Sequence, residues 1–265
     1  MKLGAAYVLF NDIEYLNLSL DAVSKACDTV LFIVGRYPWN NIENATSNKH
    51  IVDHIAKLCE SNSKYQMIVG EWSTEHEQRN DGLETLKKQG ISHALIVDTD
   101  EIYHLRHLYH LRQLILTNSN IYAFHSSWNT YWKNFYRVEP RESFVPLIAV
   151  KCENFKFVNR RAGICLNDKG EEIDYCGFSI PPHLVMLYHL SYVRTDEFMK
   201  NKIQFFSHAD EILENWYNEV WLKWKEGDTN FHPVVPNQYH SAVKENIFEF
   251  PDILRDFLIA RKSNV

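Results

Sequence analysis

Two closely spaced aspartates that follow an apolar run form the strongest chemical signal in the sequence. The run ALIV at 94–97 is followed directly by Asp98, Thr99, Asp100 and Glu101. In an open α/β sheet, ligands bind outside the carboxyl ends of the strands, where a turn lets both aspartates reach one ion. Carboxylate oxygens suit Mg²⁺ or Mn²⁺, and either cation bridges to a diphosphate and stabilises a departing nucleotide. The alternative is that an aspartate caps the following helix.

A second polar segment, EQRNDGL at 77–83, lies upstream of the aspartates and contains Arg79 and Asn80. It occupies the start of a predicted helix that would face the same sheet edge. The free amides of a helix N-terminus, together with an arginine, favour an anion. The alternative is an ordinary solvated first turn.

The first half of the sequence predicts the sheet edge and the helix termini that these side chains need. Strands are indicated by almost continuous apolar runs, and helical patterns separate them: strands at 3–10, 29–35, 65–72 and 93–103, and helices at 15–26, 49–60 and 75–89. This alternation indicates parallel βαβ crossovers in a doubly wound sheet. Continuous apolar runs are typical of strands that are covered on both faces.

The second half of the sequence has a different pattern of residues from the first, because aromatic residues cluster after position 120. The predicted elements are a helix at 105–117, aromatic strands within 120–138 and 146–152, a polar loop at 167–178, a helix at 195–215 and a Trp-rich helical segment at 216–224. Neither a Gly/Ser-rich nor a Pro-rich stretch separates the halves, which favours one continuous domain of residues 1–265.

Composition excludes several classes of function. The 265 residues contain 28 Lys plus Arg against 34 Asp plus Glu, a net charge of -6, so the chain offers no basic field for nucleic acid. No window approaches the roughly 18 apolar residues of a membrane helix. The N-terminal apolar stretch is short and is interrupted by Asn11 and Asp12, so we predict no export signal. The five cysteines lack CxxC spacing, and we predict a cytoplasmic protein with reduced thiols.

The order of these motifs resembles the nucleotide-sugar half of GT-A fold glycosyltransferases, in particular the family 2-like group. The similarity covers about Leu3 to Tyr103 and includes the opening strand with FNDIEYL at 10–16, the RN pair, and the strand that ends in DxD. It implies a GT-A-like (Rossmann-like) α/β fold with a mixed, mainly parallel sheet flanked by helices. It also implies a nucleotide-sugar-binding half at 1–103 and an acceptor-binding half at 104–265.

The resemblance also implies roles for individual residues. Val8, Asn11 and Glu14 would lie near the nucleotide base, and Arg79 and Asn80 near the diphosphate or donor sugar. Asp98 would lie near the ribose or sugar, and Asp100 would bind the metal. Asp98 is also a candidate metal ligand. The second strand is followed by GRYPWN at 35–40, which lacks the acidic residue that often follows in the family.

Many metal-dependent enzymes of this fold supply a late histidine as a further metal ligand, and His189 in YHLSYVR is our candidate. An imidazole ligand would shift the preference from Mg²⁺ toward Mn²⁺. The alternative is a structural, hydrogen-bonded histidine. His183, His208 and His232 are further candidates for the same role. Arg194 and Lys202 could balance the charge of the diphosphate, unless they are simply solvated.

An inverting transfer needs a carboxylate that removes the proton of the acceptor hydroxyl. The loop at 167–175 supplies four acidic residues, and we favour Asp174 because it abuts the apolar segment YCGF. The alternative is a solvated acidic turn, and a retaining enzyme would not need this base. A sugar acceptor could stack on a platform formed by Trp128, Tyr131, Trp132, Phe135 and Tyr136, and a second candidate is the helical stripe Trp216, Val220, Trp221 and Trp224. The alternative for both sets is that these side chains belong to the hydrophobic core.

The sequence therefore predicts a metal-dependent glycosyltransferase that uses Mn²⁺ or Mg²⁺. The donor is a nucleotide-diphosphate sugar, a UDP-sugar by preference, and the acceptor is a hydroxyl of a glycan or another molecule. The first alternative is a Mg²⁺-dependent nucleotidyltransferase or phosphohydrolase, although NDIEYLN at 11–17 shows neither a Gly-rich phosphate loop nor a lysine. The second alternative is a non-catalytic carbohydrate-binding relative of the same fold.

Overall fold

The computed structural model describes residues 1–39, 48–204 and 209–262. The first part of the chain alternates strands and helices, as predicted: β1 Leu3–Leu9, α1 Leu16–Ala26, β2 Thr29–Gly35, α2 Lys49–Ser61, β3 Tyr65–Gly70, α3 Glu75–Lys88, β4 His93–Val97 and β5 Glu101–Tyr103. Within the described ranges, none of the helices is long and apolar enough to cross a membrane.

The second part of the chain is rich in strands. The main elements are α4 Leu105–Thr117, β6 Ala123–Ser126, β7 Trp128–Trp132, β8 Tyr136–Glu139, β9 Leu147–Lys151, β10 Phe155–Asn159, β11 Ala162–Leu166, β12 Glu172–Ile173, β13 Gly177–Ile180, β14 Leu187–Tyr192, α5 Asp196–Lys202, β15 Ser241–Lys244 and α6 Asp252–Lys262. Short 3₁₀-helices lie at Ala209–Glu211, Pro236–Gln238 and Ile247–Glu249, and a π-helix at Tyr217–Trp221.

The largest sheet orders its strands β13, β6, β9, β4, β1, β2, β3. The pairs β4–β1, β1–β2, β2–β3 and β13–β6 are parallel, and only β9 runs antiparallel to its neighbours β6 and β4 among the described strands. Every residue of β2 and β4 is buried, because apolar clusters cover both faces of the sheet. The prediction of an α/β fold with a mixed, mainly parallel central sheet flanked by helices is confirmed.

The two aspartates lie where the chain passes from one sheet to another. A second sheet orders β15, β8, β7, β14, β5, and β5 begins at Glu101, directly after the turn that follows β4. A third, small sheet consists of β10, β11 and β12. The junction thus brings the carboxyl end of β4 next to β14, which pairs with β5. Residues from both halves, such as Leu3 and Leu187, pack in the same apolar cluster.

Helix α3 begins with a capping box, which explains where it starts. Thr74 accepts a hydrogen bond from the backbone of Glu77, and the Glu77 side chain accepts one from the backbone of Thr74. Gly82 lets this helix approach β2 closely, because a Cβ at this position would overlap Ile33. The cap and the close approach together fix the first turn of α3 against the carboxyl ends of the strands.

Two expectations about the later helices are wrong. The predicted helix at 195–215 ends at Lys202, and Asn215 has a left-handed φ of 58°, which does not continue a right-handed helix. The Trp-rich segment is a π-helix only over Tyr217–Trp221. Its expected core role is nevertheless confirmed, because Trp216 and Trp221 are buried in an aromatic cluster with Trp132.

Candidate active site

A cleft of about 820 Å³ opens at the carboxyl ends of β1 and β4, the position where α/β sheets bind ligands. The strand ends, α3, the tip of the β10–β11 hairpin, β14, α5 and the loop before β15 all line it. Of the residues that the sequence predicted for the site, the following line this cleft: Val8, Asn11, Arg79, Asp98, Asp100, Trp128, His189, Lys202 and His232. His183 is exposed and lies outside the cleft lining, and His208 lies outside the described residues.

Asp98 is held by two arginines from different elements. Arg79 Nη2 donates to Asp98 Oδ1 at 3.0 Å, and Arg161 Nη1 lies 3.5 Å from Asp98 Oδ2. Arg79 is itself anchored one turn back, because its Nε and Nη2 both donate to Glu75 Oε1, at 2.8 and 2.6 Å. Burial opposes ionisation of Asp98, but Arg79 and Arg161 lower its pKa. Asp98 is therefore an ionised carboxylate in the cleft.

Arg161, which sequence reasoning missed, locks the hairpin tip onto Glu101. Its Nη1 and Nη2 donate to the two carboxylate oxygens of Glu101, the second at 3.1 Å, and Nη2 also donates to the Ile96 carbonyl at 2.9 Å. The Glu101 side chain is fully buried. Burial raises the pKa of Glu101 to about 7, while Arg161 opposes the shift. The bidentate pair therefore offsets only part of a large desolvation penalty.

We expect Arg161→Met to lower the free energy of unfolding by about 3–5 kcal/mol, because it leaves Glu101 buried without its partner. Urea unfolding measures the change. Adding Glu101→Gln should restore part of the loss, since an amide carries no charge to desolvate. Arg160→Met is the matched control, because Arg160 pairs with Glu211 at the surface and such pairs contribute about 1 kcal/mol or less. Equal effects at both arginines would contradict this assignment.

Asp100 is the meeting point of three other side chains. Its Oδ2 accepts from Lys202 Nζ at 3.0 Å and lies 3.4 Å from Arg194 Nη2, while its Oδ1 lies 3.9 Å from His189 Nε2. Burial opposes ionisation, but Lys202 and Arg194 hold the pKa of this carboxyl well below its usual range. One oxygen of Asp100 is therefore taken by cations of the chain, and the other faces the imidazole.

Thr130 and Glu142 lie next to His189 and influence which ring nitrogen carries the proton. Burial lowers the pKa of His189 to about 4, so the ring is neutral at pH 7. Thr130 Oγ1 donates its hydrogen to Glu142 and lies 3.5 Å from His189 Nδ1. With the hydroxyl hydrogen used in this way, the arrangement favours a hydrogen on Nδ1 and a lone pair on Nε2. Trp128 stacks on the imidazole at 4.3 Å between ring centroids and holds its plane.

Arg194 and Glu14 form a support beneath the cleft and lie outside its lining. The Arg194 side chain is fully buried, and it donates to Asp12 at 2.7 Å and to Glu14 at 3.0 Å. It thereby ties the loop after β1 to Asp100. Of the residues expected near the base, Val8 and Asn11 do line the cleft. The predicted contacts of Arg194 and Glu14 with the nucleotide do not match their positions.

Asn80 also lies away from the cleft lining, contrary to its predicted place near the diphosphate. Its Nδ2 donates to the Phe157 carbonyl at 2.8 Å, and its Oδ1 accepts from the Phe157 amide at 2.9 Å. Both functional atoms of the side chain are thus committed to β10. The spacing within the RN pair predicted the position of Arg79 but not the direction in which its neighbour points.

We expect Asn80→Leu to lower the free energy of unfolding by about 1–3 kcal/mol, because two buried backbone groups of Phe157 lose their partners. If the cleft binds the nucleotide that the sequence predicts, its affinity should change by less than about twofold, since Asn80 does not reach the cleft. Urea unfolding and isothermal titration with UDP measure the two quantities. Unchanged stability together with weakened UDP binding would return Asn80 to the predicted nucleotide site.

Asp174, which the sequence predicts as the base because of a rigid place at the cleft, is exposed and lies outside the cleft lining. The cleft instead contains Glu142, which accepts from Thr130 and from Tyr239 Oη at 3.1 Å on Oε1, and from Gln238 Nε2 at 3.0 Å on Oε2. Burial raises the pKa of Glu142, against the effect of these bonds. No motif in PRESF at 140–144 signalled it.

The predicted aromatic platform divides between cleft and core. Trp128 lines the cleft with Phe144, whose ring centroid is 5.7 Å from that of Trp128. Tyr131 and Trp132 are fully buried in two core clusters. His232 reaches the cleft, and its Nδ1 accepts the backbone amides of Val234 and Val235 at 3.1 and 2.9 Å.

The donor set at Asp100 fits a divalent cation in part. Asp100 Oδ1 and the unprotonated Nε2 of His189 face each other, and a cation between two such atoms would be bound by both. The same carboxylate already pairs with Lys202 and Arg194, and Asp98 pairs with Arg79 and Arg161. Within the described residues, no group of three or more His, Cys, Asp and Glu side chains is placed to hold a metal ion. Remaining ligands would have to come from substrate and water.

Comparisons with known proteins give little beyond the fold. No family model matches the chain, and no curated protein matches it either. Among solved structures, it is similar to the 4-diphosphocytidyl-2C-methyl-D-erythritol synthase from Anaerococcus prevotii DSM 20548. The two chains share 14% sequence identity over 57% of this chain and 70% of that chain, with a TM-score of 0.39. A likeness this distant carries no information about what the cleft binds.

Proposed function

We propose that this protein is a metal-dependent glycosyltransferase that moves a sugar from a nucleotide-diphosphate sugar to a hydroxyl group. One observation carries the proposal: a single cleft contains ionised aspartates beside basic groups at one sheet edge, and an aromatic wall with a partly buried carboxylate. The charged side chains at the sheet edge suit a diphosphate. The aromatic wall suits a sugar acceptor, and its carboxylate suits the removal of the acceptor's proton.

The donor end of the cleft supplies charge of both signs. Lys202 Nζ is anchored by Asp100, by the Ser191 carbonyl at 3.2 Å and by Ser191 Oγ at 3.0 Å, so its ammonium is held in place before a ligand arrives. A preorganised cation of this kind stabilises negative charge that develops on a leaving diphosphate. Val8 and Asn11 line the cleft beyond the end of β1, where the base would lie.

Asp100 and His189 are the residues that would hold Mn²⁺ or Mg²⁺. A bound cation supplies Lewis-acid stabilisation of the departing nucleoside diphosphate. Asp100 would contribute Oδ1 and His189 would contribute Nε2, while Thr130 Oγ1 lies 3.5 Å from the other ring nitrogen. An orienting partner on the other ring nitrogen is the usual arrangement at histidine ligands. The imidazole favours Mn²⁺ over Mg²⁺.

Glu142 takes the role of the base that the sequence assigned to Asp174. An ionised carboxylate accepts about four hydrogen bonds, and Thr130, Tyr239 and Gln238 occupy three of these positions. The Trp128 side chain also acts on Glu142 as a hydrogen-bonding group, so an acceptor hydroxyl would share or replace this contact at the remaining position. Its raised pKa brings Glu142 closer to the working pH, which favours proton transfer. Glu142 removes the proton while the hydroxyl oxygen attacks the anomeric carbon.

Release of nucleoside diphosphate tests the proposal. The purified protein is incubated with Mn²⁺ and, in turn, UDP-glucose, UDP-galactose, UDP-N-acetylglucosamine and GDP-mannose, with and without a mixture of methyl hexosides. We expect one donor to yield nucleoside diphosphate and a new glycoside. Release of pyrophosphate from a nucleoside triphosphate, with no nucleoside diphosphate from any sugar donor, would instead establish nucleotidyl transfer.

Two lysines on helix α5 provide a matched pair of variants. We expect Lys202→Met to weaken UDP binding by about tenfold, or about 1.4 kcal/mol, because it removes a positive charge that the chain holds at the donor end of the cleft. Lys200→Met should change binding by less than twofold, since Lys200 is exposed and lies outside the cleft lining. Isothermal titration with UDP and Mn²⁺ measures both. Equal affinities for the two variants would remove Lys202 from the donor site.

A further inference from the structure

The cleft contains a tyrosine–histidine pair that the proposed transfer does not use. His125 lies on β6, and Tyr175 lies just before β13, which pairs in parallel with β6. His125 Nε2 and Tyr175 Oη are 2.7 Å apart, and both side chains line the cleft. Half of the Tyr175 surface is exposed, so a ligand can reach it.

The direction of the hydrogen bond in this pair follows from its surroundings. The Val145 carbonyl lies 3.0 Å from His125 Nδ1, and a carbonyl only accepts, so Nδ1 carries a hydrogen. Burial, with a contribution from Arg161, lowers the pKa of His125, so the ring is neutral and Nε2 has a lone pair. Tyr175 therefore donates its hydrogen to Nε2. Its oxygen is left with lone pairs only, which can accept but not donate.

A glycine allows the Tyr175 ring to take this position. The ring lies against Gly177, where a Cβ would overlap ring carbon Cε1 and would lie 2.9 Å from Cδ1. Gly177 has an ordinary backbone conformation, because it is not among the glycines with positive φ. The requirement for glycine at this position thus comes from the close approach of the tyrosine ring and not from the backbone.

The nearby groups favour a ligand that donates hydrogen bonds and presents an apolar face. Val145, which accepts from His125, belongs to the loop that carries Glu142 and Phe144, and all three line the cleft. Glu142 and the Tyr175 oxygen both act as acceptors. Phe144 is half-exposed and lies against Trp128. Hydroxyls on the edge of a ring with apolar C–H faces are the chemistry of a sugar.

We propose that Tyr175, oriented by His125, is a specificity-determining residue that accepts a hydrogen bond from a second hydroxyl of a carbohydrate acceptor, one that does not react. This inference rests on the proposed function and adds the acceptor class. The hydroxyl of the acceptor donates to Tyr175 Oη while Tyr175 continues to donate to His125 Nε2. Simple alcohols and acceptors that lack this hydroxyl leave the tyrosine oxygen without a partner and are used less well.

The test uses the methyl hexoside that supports the fastest transfer, together with its monodeoxy analogues. For the wild type, we expect removal of one particular hydroxyl to lower kcat/KM about tenfold without abolishing transfer, as one hydrogen bond contributes about 1.4 kcal/mol. Tyr175→Phe should lose about the same factor with the parent hexoside and should no longer discriminate against that analogue.

Two further variants separate a specific role from a general loss of structure. Gly177→Ala keeps the tyrosine but displaces its ring, so it should reproduce the loss of discrimination. Tyr136→Phe is the matched control, because Tyr136 Oη donates to Glu226 at 2.8 Å and lies outside the cleft lining. We expect Tyr136→Phe to discriminate as the wild type does.

The outcomes distinguish this inference from the proposed function. If Tyr175→Phe discriminates among the deoxy analogues as the wild type does, the inference is overturned while the proposed function stands. The same holds if the donor is hydrolysed but no methyl hexoside accepts the sugar. If the wild type neither hydrolyses nor transfers from any nucleotide sugar, the proposed function itself fails.

Discussion

Replacing Asp100 by asparagine should lower kcat/KM for the nucleotide sugar by about 10³-fold. The substitution keeps the shape of the side chain but removes the charge that holds Lys202 and faces His189. A metal ligand contributes several kcal/mol to charge stabilisation, and about 4 kcal/mol corresponds to this factor. Release of nucleoside diphosphate with Mn²⁺ measures the rate, and isothermal titration shows whether Mn²⁺-dependent binding of UDP is lost as well.

Asp196→Asn is the matched control for Asp100→Asn. Asp196 also pairs with a lysine at 3.0 Å, in this case Lys133, but it is more than half exposed and lies outside the cleft lining. We expect its activity to stay within about twofold of the wild type. Melting temperatures of both variants establish that they are folded. Full activity of Asp100→Asn with any donor that the wild type uses would end the glycosyltransferase account in its metal-dependent form.

The second large effect should come from Glu142→Gln, for which we expect kcat to fall by about 10²–10⁴-fold. An amide cannot take the proton of the acceptor hydroxyl, and general base catalysis contributes a factor of this size. Binding of UDP should change far less, because Glu142 lies on the acceptor wall. The measurement is the transfer rate at saturating donor and acceptor, together with the affinity for UDP.

Glu245→Gln is the control that best matches this change. Glu245 is also a partly buried carboxylate that accepts from a tyrosine hydroxyl, that of Tyr131, but it lies outside the cleft lining. It should retain kcat within about threefold. Asp174→Asn then compares the base that the sequence predicts with the base that the structure indicates. A large fall in kcat for Asp174→Asn, with little change for Glu142→Gln, would show that the sequence-based choice of base was correct.

The first half of the fold was predictable because its signals are local. Continuous apolar runs marked β2 and β4, and helical periodicity placed α1 to α3 to within a few residues. The DxD segment was recognisable because two aspartates directly after a buried run must lie at a strand end. Each of these inferences used residues that are close together in the sequence, and the elements themselves are formed by such residues.

The residues that sequence reasoning missed depend on distant pairings. Arg161 reaches Glu101 only because the β10–β11 hairpin folds back over the sheet, and Glu142 enters the cleft on a loop between β8 and β9. No periodicity relates either residue to its partners. Conversely, Arg194 and Asn80 have the chemistry of ligand-binding residues, but partners within the chain take up their donors. Composition and spacing do not show which group a polar side chain forms its hydrogen bonds with.

The most direct test of the central claim is thermal unfolding of the protein with nucleotides. A ligand that binds only the native state raises the melting temperature. UDP, GDP, CDP, ADP and their sugars are compared in Mn²⁺, in Mg²⁺ and in chelator, for the wild type and Asp100→Asn. We expect a base-selective increase that requires the metal and disappears in Asp100→Asn. No increase with any nucleotide in either metal would contradict it and would identify the cleft as something other than a donor site.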